Sequence, residues 1–138
     1  MTFSALQRLQ ISWALLGLGF NVISAAMLVT SGEGLAPTNP VFGALFIVIY
    51  SGFILLGAAG KRRAYAYALP VLTAGLIALG VVPHLAAARG EAGLQAYAST
   101  ASWCAALLIN GYGAGVFAVS AWIEIRQGKL IGTFNWKN

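Results

Sequence analysis

Residues 41–60 read VFGALFIVIYSGFILLGAAG, a stretch without a single Asp, Glu, Lys or Arg. Three further stretches share this property, and they cover residues 11–30, 64–88 and 92–123. A hydrocarbon core about 30 Å thick needs roughly 20 helical residues, because each residue adds about 1.5 Å of rise. The sequence therefore predicts an all-α integral membrane protein, a four-helix transmembrane bundle with helices at about 9–30, 41–60, 64–88 and 97–125.

The composition is typical of a membrane protein rather than a soluble domain. The 138 residues are 59% hydrophobic and 8% charged, whereas a typical soluble domain has roughly 25% charged residues. No stretch is long or polar enough for a second domain, so residues 1–138 are expected to form a single transmembrane domain. The formal net charge of +5 lies at the ends of the apolar stretches. This placement indicates that the positive charges contact membrane lipids and that the chain binds no nucleic acid.

The cations divide unequally between the two sides of the predicted bundle. Seven of the eight, all but Arg89, fall in the N-terminal segment, the second loop and the C-terminal segment. Lys and Arg accumulate on the cytoplasmic side of membrane proteins, so both termini are expected to be cytoplasmic, with residues 126–138 as a cytoplasmic tail. The short loops and the charge bias favour a bacterial inner (plasma) membrane. The cluster Lys61, Arg62 and Arg63 is expected to contact lipid headgroups.

Local signals mark where two of the helices begin or bend. Thr38 or Asn39 is expected to cap the second helix, with Pro40 in its first turn, where a missing N–H is tolerated. Pro83 lies inside the third apolar stretch, where it removes a backbone donor and disturbs the carbonyl of Leu79. The third helix should therefore kink there unless neighbouring groups compensate.

Polar side chains recur near the middle of the predicted helices. Burial of a polar group in hydrocarbon costs free energy, so such residues often have a structural or functional role. The residues with this property are Asn21, Tyr50, Ser51, Asn110 and Tyr112. One interpretation is a polar pocket or solute-binding site at the midplane. The other is hydrogen bonding between helices, which contributes roughly 0.6–2 kcal/mol per bond. The second is favoured because none of these groups ionises near neutral pH. Asn110 and Tyr112 are two residues apart on a helix, so they should point to different sides.

His84 is the only histidine, and it directly follows Pro83. It is a candidate cofactor-binding residue, as an axial ligand to haem or chlorophyll or as a hydrogen-bond partner of a quinone. The alternative is an interfacial histidine held by a hydrogen bond. A haem with two histidine ligands is excluded within one chain, and a single cysteine, Cys104, disfavours a metal site. The sequence requires no cofactor, and it identifies no catalytic residue.

Glycine is abundant, at 17 residues, and small residues allow membrane helices to approach closely. Helix packing is expected at Gly17, Gly111 and Gly115. The pattern does not distinguish packing inside the bundle from packing against another subunit. A weak repeat at an offset of 58 residues, in which Gly17 matches Gly75, is compatible with two tandem helical hairpins.

Three functions are open from the sequence. The first is a non-catalytic accessory, structural or assembly subunit of a larger membrane complex, favoured by the missing catalytic groups and the glycine-rich helix faces. Its partners would be other membrane subunits or further copies of the chain. The second is a small oligomeric transporter or channel for a neutral or lipophilic solute, which rests on the midplane polar residues. The third is a membrane enzyme or cofactor-binding protein acting on a quinone, sterol or isoprenoid, which rests on His84 and Tyr112.

Overall fold

The computed structural model describes residues 4–90 and 93–127, and this part of the chain is helical with no strand. The four long helices are α1 (Ala5–Ser31), α2 (Pro40–Ala58), α3 (Arg62–Ala87) and α4 (Thr100–Arg126). Each is long and apolar enough to cross a membrane, so the predicted all-helical fold with four long apolar helices is confirmed. A short 3₁₀ turn, Leu94–Ala96, lies between α3 and α4. Of the predicted tail, residues 128–138 lie outside the described residues.

The outside of the bundle is strongly apolar. Val29 is 86% exposed, Val71 72% and Leu108 71%. Monomeric soluble proteins rarely expose contiguous apolar surface on this scale. Such a surface is expected of helices that face lipid, since their backbone polar groups are satisfied internally and their side chains need no water.

The capping residues explain where α2 and α4 begin. The Asn39 side chain accepts the N–H of Val41 at 2.9 Å, with Pro40 as the first helical residue. The sequence-based expectation of this cap is confirmed. The helix α4 begins at Thr100 rather than near residue 97, because the Ser99 hydroxyl accepts a backbone N–H of the first turn at 3.1 Å.

The third helix is irregular next to Pro83. It contains a π-helical stretch, Leu76–Val81, between two α-helical segments. A π turn inserts an extra residue into the helical ladder, which adapts the helix to the proline's missing N–H and to its ring. The irregularity changes the direction in which the side chains of this stretch face, and two of its residues, Leu79 and Gly80, line the cavity described below.

The helices pack in ring order, with each one against its two neighbours. One end of the bundle, here called the loop end, holds the connections 32–39 and 88–99. The opposite end, the terminus end, holds the start of α1, the end of α4 and the short connection 59–61. Between the two ends lies an aromatic cluster of Trp13, Phe46, Tyr50 and Phe117, whose ring centroids are 4.5–5.5 Å apart in contacting pairs. This cluster closes the centre of the bundle.

Candidate functional site

A cavity of about 330 Å³ lies in the loop-end half of the bundle. All four helices line it, together with the end of the first loop. Its polar lining residues are Asn21, Thr38, Asn39, His84 and Asn110, and its aromatic lining residues are Trp13, Phe20, Phe42 and Phe46. Of the lining residues within 4–90 and 93–127, only His84 has a side chain that ionises near neutral pH. The volume of the cavity, and its largely apolar walls with a few polar groups, are typical of small-molecule sites.

Asn21 of α1 and Asn110 of α4 both line this cavity, and both bond in the same way. The Nδ2 group of Asn21 donates to the carbonyl of Gly17 at 2.8 Å, and that of Asn110 donates to the carbonyl of Ala106 at 2.8 Å. Both bonds stay within one helix. Within residues 4–90 and 93–127, neither Oδ1 atom accepts a hydrogen bond. Hydrogen bonding between helices, the interpretation favoured from the sequence, is therefore not what these two side chains do in this fold.

A glycine on the neighbouring helix makes room for each of these amides. A Cβ atom at Gly43 would overlap the Asn21 amide, and one at Gly80 would lie 2.5 Å from Oδ1 of Asn110. The pair Asn21–Gly43 joins α1 to α2, and the pair Asn110–Gly80 joins α4 to α3. In these pairs the asparagines lie on α1 and α4 and the glycines on α2 and α3, so α1 corresponds to α4. The repeat at an offset of 58 residues would instead match α1 with α3.

His84 lines the cavity and is 4% exposed. Its Nδ1 atom lies 2.6 Å from the hydroxyl of Tyr97, and Nε1 of Trp103 donates to its backbone carbonyl at 2.8 Å. Within the described residues the Tyr97 proton has no other acceptor, so donation to Nδ1 satisfies it and places the imidazole proton on Nε2. Nε2 is then the ring nitrogen left for a bound molecule.

Tyr97 anchors the second loop to this end of the bundle. It is 6% exposed and packs with Ala36 of the first loop and Ala106 of α4. Burial raises the pKa of its phenol above the ordinary value. The phenol therefore stays neutral, and able to donate to His84, throughout the physiological pH range.

The cavity opens in two directions. Phe42 and Leu79, on α2 and α3, line it and are 70% and 65% exposed, so one opening lies on the apolar side of the bundle. Thr38 and Asn39 line it at the loop end, and the same two residues also line a second cavity of about 460 Å³ between the two loops. The cavity thus borders the apolar surface on one side and the second cavity, at Thr38 and Asn39, on the other.

The other predicted midplane residues lie outside the cavity lining. The Tyr50 hydroxyl donates to the carbonyl of Leu72 at 2.7 Å, which links α2 to α3. The Tyr112 hydroxyl lies 2.7 Å from that of Ser12 and 3.1 Å from the carbonyl of Leu9, which links α4 to α1. Ser51 is half-buried on α2. Tyr50 and Tyr112 are thus interhelical contacts, whereas Asn21 and Asn110 are cavity residues.

The terminus-end half contains a buried polar network that the sequence interpretation missed. Gln10 is fully buried, accepts the hydroxyl of Tyr65 at 2.8 Å and donates to the hydroxyl of Ser120 at 3.1 Å. The network joins α1, α3 and α4. Gln10 precedes the first uncharged stretch by one residue, and was overlooked for that reason. The available signal was the spacing of Gln7 and Gln10, three residues apart on one face of α1.

The glycines expected at helix contacts fall into two groups. A Cβ at Gly17 would lie 2.9 Å from Cδ1 of Ile47, so Gly17 supports the close approach of α1 and α2. No atom of the described residues lies within 4 Å of a Cβ placed at Gly111 or Gly115. Gly113, between them, is buried against the Trp13 indole. The face of α4 that carries Gly111 and Gly115 is therefore open in the single chain.

The basic cluster lies at the terminus end. Lys61, Arg62 and Arg63 are all exposed around the connection from α2 to α3. Arg62 Nη2 lies 3.7 Å from a carboxylate oxygen of Glu124. This ion pair joins the exposed arginine of α3 to the largely buried glutamate of α4. Arg62 thus has a partner in the chain itself, and all three positions are accessible to lipid headgroups.

No cluster of three or more His, Cys, Asp or Glu side chains suited to a metal ion occurs in residues 4–90 and 93–127. No protein-family model, curated protein or solved structure matches the chain. The geometry of the cavity is therefore the observation from which a function is argued.

Proposed function

We propose that this chain is an integral membrane protein that binds a small, neutral and mostly apolar molecule in the loop-end cavity. The chain binds that molecule in order to transport or present it. This is the second of the three functions left open by the sequence, the transporter or channel for a neutral or lipophilic solute. The bundle spans a bacterial inner membrane. Both termini lie on the cytoplasmic side and the loop end faces outward, an orientation that the distribution of Lys and Arg favours.

One observation carries the proposal. Asn21 and Asn110 reach the same cavity from two helices, and neither Oδ1 atom accepts a hydrogen bond within the described residues. A polar group that stabilises a bundle bonds across helices, as Tyr50 and Tyr112 do. Both side chains are half-buried among apolar helices, where an acceptor without a donor is costly, and a bound molecule that supplies donors would satisfy both.

The apolar opening beside Phe42 and Leu79 supports access from the bilayer. A lipophilic molecule concentrates in the membrane, so a side opening between α2 and α3 would capture it without passage through water. The loop-end route past Thr38 and Asn39 supports exchange with the aqueous phase on the other side. Two routes to one site are what a carrier or a presenting protein requires.

The test is native mass spectrometry of the full chain, isolated from its own membrane in a mild detergent. We expect the wild type to retain a small organic molecule. Ile109→Phe, which adds volume to a side chain that lines the cavity, should lose it. Leu108→Phe is the matched control, because Leu108 is 71% exposed and is not part of the lining. The proposal fails if wild type and Ile109→Phe carry the same small molecules, or none.

The orientation needs its own test. In a chain with Cys104 replaced by Ala, Gln95→Cys in the second loop should react with a membrane-impermeant maleimide in intact cells. Ala59→Cys, at the terminus end, should react only after the cells are opened. Both positions are exposed. The reverse pattern would overturn the proposed orientation without bearing on the cavity.

A second candidate function is the accessory or assembly subunit, and the open face of α4 favours it. Gly111 and Gly115 form a small-xxx-small pair with open space above both, the arrangement by which membrane helices associate. We expect the isolated wild type to carry additional polypeptide mass, and Gly115→Leu to lose it while its helical content is unchanged. A single chain in both preparations would contradict this candidate.

A further inference from the structure

We infer that the loop-end cavity selects a neutral, compact ring molecule with a hydroxyl group, a phenol or quinol rather than a hydrocarbon, an ether or an acid. The inference rests on the proposed ligand-binding function and adds the chemistry of the ligand to it. Three properties of the cavity carry it: two acceptors without donors, the absence of fixed charge, and aromatic walls around a limited volume.

The orientation of the two amides is fixed by their surroundings. In each case Nδ2 lies 2.8 Å from a backbone carbonyl, of Gly17 or of Ala106. A flipped amide would bring two oxygen acceptors to that distance, so the nitrogen must face the carbonyl and Oδ1 must face away from it. Each Oδ1 lies beside a glycine that also lines the cavity, Gly43 for Asn21 and Gly80 for Asn110. These two oxygens are the acceptors that the lining offers, and a ligand gains by donating to them.

His84 supplies the complementary group. Because the Tyr97 hydroxyl occupies Nδ1, the N–H of the neutral imidazole is at Nε2 and is a donor. A hydroxyl group donates one hydrogen bond and accepts others, so it matches an amide Oδ1 and the His84 N–H at once. An ether or a ketone only accepts, and it would leave both amide oxygens without a donor.

Charge and size narrow the class further. Among the described residues, no Asp, Glu, Lys or Arg lines the cavity, so an ionised ligand would lose its hydration without gaining a counter-charge from them. An apolar cavity of about 150 Å³ is known to hold one benzene molecule, and the volume here is about 330 Å³. That leaves room for one or two rings against Phe20, Phe42 and Phe46.

A set of fluorinated probes tests the inference on the full chain in lipid nanodiscs. Binding is followed by fluorine NMR for para-fluorophenol, its methyl ether para-fluoroanisole, fluorobenzene and para-fluorobenzoate. Nanodiscs that hold Ile109→Phe, with a reduced cavity, correct for partition into lipid. The Kd of the phenol for the wild type is expected to be about three- to tenfold lower than that of its ether, the effect of one hydrogen bond. Asn110→Leu should bring the two values together.

The outcomes separate this inference from the function on which it rests. Equal Kd values for the phenol and the ether, both weakened in Ile109→Phe, would overturn the inference and leave the cavity as a ligand site. Tight binding of the benzoate would overturn the selection for a neutral ligand. If no probe distinguishes wild type from Ile109→Phe, the proposed function itself fails. The comparison of phenol with ether uses only the wild type, so it decides the inference even if Asn110→Leu does not fold.

Discussion

In the terminus-end half of the bundle, Gln10 bonds the side chains of Tyr65 and Ser120 on two other helices. In the loop-end half, Asn21 and Asn110 bond only backbone carbonyls of their own helices. All three are uncharged amides on apolar helices; Gln10 is fully buried and the two asparagines are half-buried. The first amide connects the bundle, and the other two face a cavity. The identity of a polar residue in a membrane helix therefore does not determine its role; the neighbouring helices do.

The difference follows from what stands opposite each amide. Opposite Gln10 are hydroxyl groups within hydrogen-bond distance. Opposite Asn21 and Asn110 are the glycines Gly43 and Gly80, which make room for the two amides and offer no side-chain donor. One half of the bundle is thus joined by side-chain bonds between helices, whereas the amides of the other half have no such partner among the described residues.

The largest loss of stability is expected from a substitution at the tightly packed centre of the bundle, next to Trp13. In Gly113→Ala the added Cβ would overlap the Trp13 indole, a large side chain that is 2% exposed. Overpacking of this kind costs about 1–3 kcal/mol. The free energy of unfolding, measured in one detergent, should fall by that amount.

Gly115→Ala is the matched control for Gly113→Ala. It lies on the same helix, and its Cβ would meet nothing within 4 Å. Its stability should be unchanged or higher by up to about 1 kcal/mol, because Ala favours the helix over Gly. Equal losses for the two variants would show that the described packing at Trp13 is wrong.

The next effect concerns the network at the terminus end. Gln10→Leu removes the acceptor of the Tyr65 hydroxyl and the donor to Ser120, so it should lower the free energy of unfolding by about 1–2 kcal/mol. Tyr65→Phe should remove part of the same stabilisation. A double-mutant cycle should give non-additive losses, and strictly additive losses would refute the network.

A smaller effect is expected at Tyr97, in the loop-end half. Tyr97→Phe removes the bond to His84 and should cost about 0.5–1.5 kcal/mol at neutral pH. The raised pKa of Tyr97 means that the folded chain holds this proton more tightly than the unfolded chain. The contribution is therefore full below a pH of about 10 and is lost as the pH rises through the higher folded value.

Unfolding of wild type and Tyr97→Phe, measured from neutral to strongly alkaline pH, checks this sign. The stability difference between the two chains should shrink at alkaline pH, and the groups common to both chains cancel in that difference. A constant difference, or one that grows with pH, would contradict the burial of the Tyr97 phenol that raises its pKa.

Much of the fold could be predicted from the sequence, for a simple reason. Uncharged apolar stretches of 20 or more residues define the helices by length alone, and Asn39 with Pro40 marked the start of α2. The start of α4 was less accurate, because residues 92–99 are apolar enough to extend the stretch although Ser99 caps the helix only at that point. Local capping chemistry, not hydropathy, decides such boundaries.

The candidate site could be predicted only in part. Asn21 and Asn110 were identified because polar residues stand out in apolar helices, and His84 because it is unique. Their cavity is also lined by Gly43, by Gly80 and by part of the π-helical stretch Leu76–Val81. Pro83 indicated an irregularity in the third helix, but neither its π-helical form nor the role of the two glycines has a specific signal in a single sequence. The partners of Tyr50 and Tyr112 likewise depend on helix rotation, which periodicity does not fix when a helix is apolar on all sides.

The account's central claim is that Asn21 and Asn110 serve the cavity and not the cohesion of the bundle. The direct test is the free energy of unfolding of Asn21→Leu, Asn110→Leu and Gln10→Leu in the same lipid–detergent mixture, without added ligand. We predict that both asparagine variants stay within about 0.5 kcal/mol of the wild type or become more stable, while Gln10→Leu loses about 1–2 kcal/mol. Losses in the asparagine variants as large as that of Gln10→Leu would contradict the claim.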